Sequence, residues 1–295
     1  MSWRGTMGAG LLLAVAVLPA RAQTALEWKF KDGEKFYVEA VTDTKQTVTI
    51  GDKATTSAST FTTVSSFVVK KAGDGYSVEQ TIEGVKVTSD KPDDPTLGVR
   101  SRFANQLKGT TFRFTISPTG KVTSKTIEGY DDLIKKLTGG NESNEKEIRA
   151  RLPEDAFKEE LNAIFGFLPD KAGTTWKRSE TLTLPWGTLK GDADYTHKGN
   201  KGKDGEEITV THNWTMELAK DAPAGVKVSK GNVKIDKAEG TIHCDPAAGR
   251  LINNTQTTHL TGKLTMTDAF MKEFTFDIDQ TTTRTLRRVD QNPLK

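Results

Sequence analysis

The sequence predicts a mainly β protein, a β-rich α+β fold of antiparallel sheets with one main amphipathic helix at about 154–168. Three observations carry that expectation: 42 threonines in 295 residues, strict two-residue alternation of apolar and polar side chains, and turn chemistry between the alternating runs. Threonine is β-branched, stiff at χ1 and suited to a pleated surface with one wet face. Sheets with one wet face are antiparallel as a rule.

Taken in order, the first 22 residues read as an export signal. Arg4 precedes a short apolar run from Gly8 to Leu18, Pro19 breaks it, and Ala20-Arg21-Ala22 offers small residues where a signal peptidase reads, with cleavage before Gln23. The run spans 11 residues against roughly 20 for a membrane crossing, so no permanent anchor is expected. The expected location is periplasmic or extracellular.

The first hairpin is Phe61 to Val69, a turn at Ala72-Gly73-Asp74-Gly75, and a return through Tyr76, Val78, Gln80 and Ile82. Phe112, Phe114 and Ile116 begin a second, with a Ser117-Pro118-Thr119-Gly120 turn and a return over 121–125. Tyr130 to Leu137 reads as a short helix stopped by Gly139-Gly140, and Arg102 to Leu107 as one helical turn. Pro153 sits where a first helical residue would and Pro169 ends the segment; between them Phe157, Leu161, Ile164, Phe165 and Leu168 form one helical stripe. Later strands alternate along Ile208–Leu218 and Phe274–Asp279. The polar stretches 90–98, 138–147, 199–206 and 220–225 read as loops.

This order suggests a signal peptide at 1–22, a first β-rich half at 23–150, a connecting helix at 151–169 and a second β-rich half at 170–295, the halves being two domains or one continuous domain. Two pairs of segments hint at related halves. Gly33-Glu-Lys-Phe36 is echoed by Gly173-Thr-Thr-Trp176, and Ser117-Pro118-Thr-Gly120 by Asp245-Pro246-Ala-Ala-Gly249. Such pairs are common in β proteins, so chance similarity stands beside duplication.

Removing the leader takes Arg4 and Arg21 from the 42 basic residues, leaving 40 against 39 acidic ones. No basic stripe remains, which argues against a nucleic-acid partner. One cysteine forms no internal disulfide. The four histidines, 197, 212, 243 and 259, show no metal-ligand spacing, so neither a metal nor a cofactor is expected. His212 sits between Val210 and Trp214 on the apolar face of its strand and reads as a hydrogen-bonded core residue. His243 is expected exposed and Cys244 buried; as strand neighbours they face opposite ways and form no nucleophile pair. Asp192 with Asp194, and Asp277 with Asp279, share strand faces about 7 Å apart, a spacing that suits a carboxylate-dependent hydrolase. Their Thr, Gly and Gln neighbours place both pairs on a solubilising wet face. Trp176, Trp186 and Trp214 suit core duty or a wall for an apolar or sugar ligand, with Pro185 marking an edge strand. Asn141, Asn213 and Asn253 head glycosylation sequons.

The segment Phe165-Gly-Phe-Leu168-Pro169-Asp170-Lys-Ala-Gly173-Thr-Thr-Trp176, with Lys108-Gly109-Thr-Thr-Phe112 to Val122 and Gly129-Tyr130 before it, resembles a family of uncharacterised exported bacterial, planctomycete-type proteins. The resemblance implies an exported β protein and transfers no catalytic or binding residue. The expected function is a non-catalytic binding or structural module of the bacterial cell envelope, with an apolar small molecule or an envelope protein as partner. An alternative is a carrier of lipid or another amphiphile, its curved sheet wrapped around the 154–168 helix.

Overall fold

Alternation, glycine turns and a proline-bounded helix recur in the computed structural model, which describes residues 26–91, 95–184, 187–218, 227–267 and 273–294. The leader with its Ala22/Gln23 cleavage site, the 220–225 loop, Pro185 and Trp186 lie outside the described residues. In chain order the elements are β1 (Glu34–Ile50), β2 (Lys53–Ala72), β3 (Gly75–Ser89), α1 (Pro95–Leu107), β4 (Thr111–Ile116), α2 (Tyr130–Thr138), α3 (Glu142–Arg151) and α4 (Glu154–Phe165). Then follow β5 (Thr175–Leu184), β6 (Gly187–Asn200), β7 (Glu206–Leu218), β8 (Lys227–Asp245), β9 (Arg250–Thr267) and β10 (Glu273–Val289). The protein is mainly β, as its sequence predicts.

All ten strands form one antiparallel sheet, ordered β4-β3-β2-β1-β10-β9-β8-β7-β6-β5. Two meanders meet where β1 pairs with β10, in continuous register from Tyr37↔Val289 to Thr49↔Asp277. The threonines face one another across strands: Thr47 and Thr56 hydroxyls are 2.9 Å apart, as are Thr265 and Thr275. Such pairs stabilise neighbouring strands by a few tenths of a kcal/mol, roughly 0.2–1 each.

A twisted sheet of about ten strands curls, and this one curls around α4. Phe157 of α4 meets Phe112 on edge strand β4 with ring centroids 5.2 Å apart. On the same helix, the Ala163 carbonyl accepts from Asn254 Nδ2 of β9 at 3.0 Å. Beyond its end, the Leu168 carbonyl accepts from Arg178 on the opposite edge strand, β5. The apolar stripe of α4 is buried at Leu161, Ile164 and Phe165, and Phe165 stacks edge-to-face on Phe67 at 5.4 Å.

The helix ends at Phe165 rather than Leu168, because Gly166 and Phe167 turn away before Pro169. Its last carbonyls, orphaned as at every helix C-terminus, are met by side chains from distant strands and straps. Trp28 Nε1 donates to the Phe165 carbonyl at 2.7 Å, and Trp176 Nε1 to that of Phe167 at 3.2 Å. The Phe165–Trp176 segment therefore acts as a helix stop whose own tryptophan returns to cap it.

The two proline turns hold the strap at residues 26–31. The Pro118 carbonyl accepts from Trp28 N at 2.8 Å and the Pro246 carbonyl from Lys29 N at 2.9 Å. Gly120 adopts φ +83°, and a Cβ there would lie 1.9 Å from the Phe165 oxygen. Only glycine fits.

Several local expectations are corrected. The 90–98 and 138–147 stretches are not plain loops: α1 begins at Pro95 and runs 13 residues in place of a single turn at 102–107, and α3 begins at Glu142. α3 is largely polar, and α1 mixes its apolar residues with polar ones and Gly98 rather than gathering them on one face, so no clear apolar stripe announces either. The 121–125 return is no strand; it meets β4 through an isolated Ile116↔Val122 bridge and through Thr123 and Ser124 bonds to Thr115, and a second bridge, Arg113↔Glu128, follows before α2. Pro153 is the N-cap of α4, one position before the first helical residue. Among the described residues no helix is long and apolar enough to cross a membrane.

Candidate functional site between α4 and the sheet

The curl leaves a cleft of ≈ 660 Å³ between α4 and strands β5, β6, β7, β9 and β10. Its polar centre arises from strand register. Glu180 on β5 pairs with Gly191 on β6, and Ala193 on β6 pairs with His212 on β7. Because Gly191 and Ala193 are small, the Glu180 carboxylate reaches across β6. It accepts from His212 Nδ1 at 2.7 Å and from the Tyr195 hydroxyl at 2.9 Å. Burial first, and then the Glu180 charge, raise the Tyr195 phenol well above its ordinary range.

An ionised carboxylate only accepts, so the proton of a neutral His212 sits on Nδ1 and Nε2 presents a lone pair. The imidazole lies 4.3 Å from the Trp214 ring, and Trp176 stacks on Tyr195 at 5.4 Å. His212 Nε2 is shut off from water without a protein partner, as are Trp214 Nε1, Arg178 Nε and Asn254 Oδ1. All four residues line this one cleft. Among the described residues, only Thr110 Oγ1 and His243 Nδ1 share that condition elsewhere. Buried polar atoms are normally paired, and an unpaired one costs about 1–3 kcal/mol.

The Glu160–Arg284 ion pair bridges α4 and β10 at the cleft's edge. Beyond it lies an apolar pocket of ≈ 240 Å³, walled by Val38, Ala40, Phe61, Phe112, Leu161 and Ile164; Glu160 and Arg284 line both spaces. Burial and the neighbouring Glu180 charge raise the Glu159 carboxyl above its ordinary value.

The paired aspartates lie elsewhere. Asp192 accepts from Ser179 at 2.9 Å, and Asp194 meets Lys177 at 2.9 Å and Asn213 at 2.6 Å. These side chains occupy the face opposite Glu180 and His212, since neighbours on a strand alternate. Asp277 faces Lys263 at 3.4 Å and Asp279 faces His259 at 3.0 Å, both exposed in an open groove of ≈ 590 Å³. Nothing buries one member of either pair away from its partner. His197 bonds Glu206 at 2.7 Å. His243, expected exposed, is half-buried with Nδ1 inside, while Cys244 is fully buried and its thiol pushed well up by burial. Of the sequon asparagines, Asn141 is exposed, Asn213 is exposed and donates to Asp194 on the neighbouring strand β6, and Asn253 is half-buried. Among the described residues no group of three or more His, Cys, Asp or Glu is placed to hold a metal ion.

Sequence reasoning singled out His212, Trp176 and Trp214 but missed Glu180, Arg178, Tyr195 and Asn254. The available signal was Gly191-Asp-Ala193, two small residues on an otherwise apolar face, which mark space for something reaching across.

A family model described as a family of unknown function, DUF6263, matches residues 66–267. The chain belongs to DUF6263. No curated protein matches it. Among solved structures, one described as lipid-protein interactions in lipovitellin is 14% identical with a TM-score of 0.44, covering 90% of this chain and 26% of that one. The chain thus spans about a quarter of the lipovitellin chain's length. A DUF1329 family protein from Desulfovibrio piger is 9% identical with a TM-score of 0.14, covering 82% of this chain and 83% of that one. Both likenesses are distant.

Proposed function

We propose that the protein is an exported, non-catalytic binding module of the bacterial cell envelope that holds an amphiphilic small molecule between α4 and the sheet. The observation that carries this reading is the adjoining pair of spaces: a polar cleft of ≈ 660 Å³ and an apolar pocket of ≈ 240 Å³, separated by one ion pair. Small-molecule sites commonly fall in the range of about 300–1,000 Å³, mostly apolar with a few convergent polar groups. The 22-residue leader and the Phe165–Trp176 segment support export and a planctomycete-type origin. The halves 23–150 and 170–295 act as one continuous domain, a reading supported by the β1–β10 pairing. In this reading the aspartate pairs play no part, since they lie on the outer face, bonded to Ser179, Lys177, Lys263 and His259.

The test is native mass spectrometry of the mature protein purified from its own host. A co-purifying small molecule, released on unfolding, is the expected result. A bare mass, combined with no thermal shift from single-chain amphiphiles, removes the reading. Export is checked separately by amino-terminal sequencing of the periplasmic fraction: a start at Gln23 is expected, and an intact Met1 in the cytosol refutes it.

A further inference from the structure

We infer that the ligand's polar end is an uncharged, hydroxyl-rich group of the sugar or polyol class. The inference rests on the binding reading above and deepens it. Of the four unpartnered atoms in the cleft wall, Asn254 Oδ1 is an acceptor, and His212 Nε2 is a second whenever the ring is neutral and donates through Nδ1 to Glu180. The other two, Trp214 Nε1 and Arg178 Nε, are donors. A phosphate or sulfate satisfies only donors, and an ammonium only acceptors. Hydroxyl groups do both.

Charge pairing points the same way. Arg284 is matched by Glu160, Arg178 by Asp170 at 3.5 Å, and Glu180 is held by His212 and Tyr195. A charged head set among these groups would have to break one of the pairs and strand its partner; Lys121 and Glu159 line the same cleft outside those pairs, and the charged probes below test them directly. His212 is nine-tenths buried, with only 7% of its surface exposed, and its imidazole orientation is set by Glu180, so Nε2 is held in place before a ligand arrives. Trp214 lines the same cleft and offers a flat ring of the kind that sugar C–H faces stack on, with its own N–H alongside. The four atoms lie behind water's reach, so binding includes a shift of the wall side chains. The apolar pocket beyond Arg284 sets the tail: a methylene fills about the space of a water molecule, ~30 Å³, so ≈ 240 Å³ holds roughly eight carbons.

Three eight-carbon probes on the mature chain, below their micelle concentrations, separate the possibilities: octyl β-D-glucoside, octyl sulfate and octyltrimethylammonium, with free glucose as control. Calorimetric titration is expected to give saturable one-to-one binding for the glucoside and none for the charged probes. Trp214→Phe, which keeps a ring and deletes the N–H, is expected to weaken glucoside binding roughly three- to tenfold, as one hydrogen bond predicts. Binding of a charged probe in preference to the glucoside overturns the sugar inference and leaves the amphiphile reading standing. Glucose binding as tightly as the glucoside keeps the sugar inference and overturns the amphiphile reading. Silence from all four overturns both.

Discussion

Two tryptophans in this protein carry indole N–H groups in opposite circumstances, and replacing each by phenylalanine separates them. Trp28 is 2% exposed, stacks on Phe30 at 5.4 Å, and donates to the terminal α4 carbonyl of Phe165 at 2.7 Å. Trp28→Phe removes that bond and leaves the carbonyl buried, at about 1–3 kcal/mol. The smaller ring leaves unfilled space worth about 1 kcal/mol more. Trp214 is half-buried and its N–H already lacks a partner. Trp214→Phe loses some contact, about 1 kcal/mol, and is relieved of an unsatisfied donor of similar cost, so the net lies near zero. The contrast of about 3 kcal/mol corresponds to a midpoint difference of roughly 6–12 °C for a chain of this size. Thermal unfolding followed by far-ultraviolet circular dichroism reads both variants without relying on tryptophan emission. Equal destabilisation by the two substitutions refutes the reasoning, because the Trp214 N–H must then have a partner and the cleft wall is not short of one.

Other outcomes follow from the same geometry. Gly120→Ala, forced to φ +83° with its Cβ 1.9 Å from the Phe165 oxygen, should cost more than about 3 kcal/mol and reduce soluble yield, whereas Gly73→Ala at φ +59° in open space should cost about 1–2 kcal/mol; equal denaturant midpoints for the two would disprove the clash. Glu159 has a folded-state carboxyl raised above 4.5 by burial and by Glu180. Between 4.5 and the raised value the folded state therefore holds more protons than the unfolded state, and stability falls as pH rises through that window. Glu159→Gln should flatten this dependence and stabilise the protein at pH 7; a steeper acid-side profile in the variant contradicts the sign. Cys244 is 0% exposed with its thiol pushed up by burial, so an aromatic disulfide reagent should modify it only at the rate of unfolding. Prompt labelling of the native protein would show an opening the fold lacks.

Elements with a self-contained pattern were legible in the chain alone. The β2–β3 hairpin announces itself through Phe61 to Ile82, since its alternation and its Gly73-Asp74 turn are neighbours in sequence. Helix α4 does so through a stripe bounded by Pro153 and Pro169. Helix α3 was hidden because most of its residues are polar, and nothing local distinguishes a polar helix from a polar loop; α1 was hidden because its apolar residues are interrupted by polar ones and Gly98 and form no sharp stripe.

The sequence by itself determined the strand periodicity, the hairpin turns and the wet faces, because those depend on residues a few positions apart. Only the tertiary structure decided that β1 would close on β10, more than 200 residues away. It also decided that the sheet would curl until Glu180 met His212 across the gap at Gly191 and Ala193. The reason lies in what each level of pattern encodes. Alternation says which face a side chain takes, while the partner it finds there depends on register and curvature accumulated over the whole sheet. The candidate site is a product of that accumulation, which is why its central pair left so little trace in the chain.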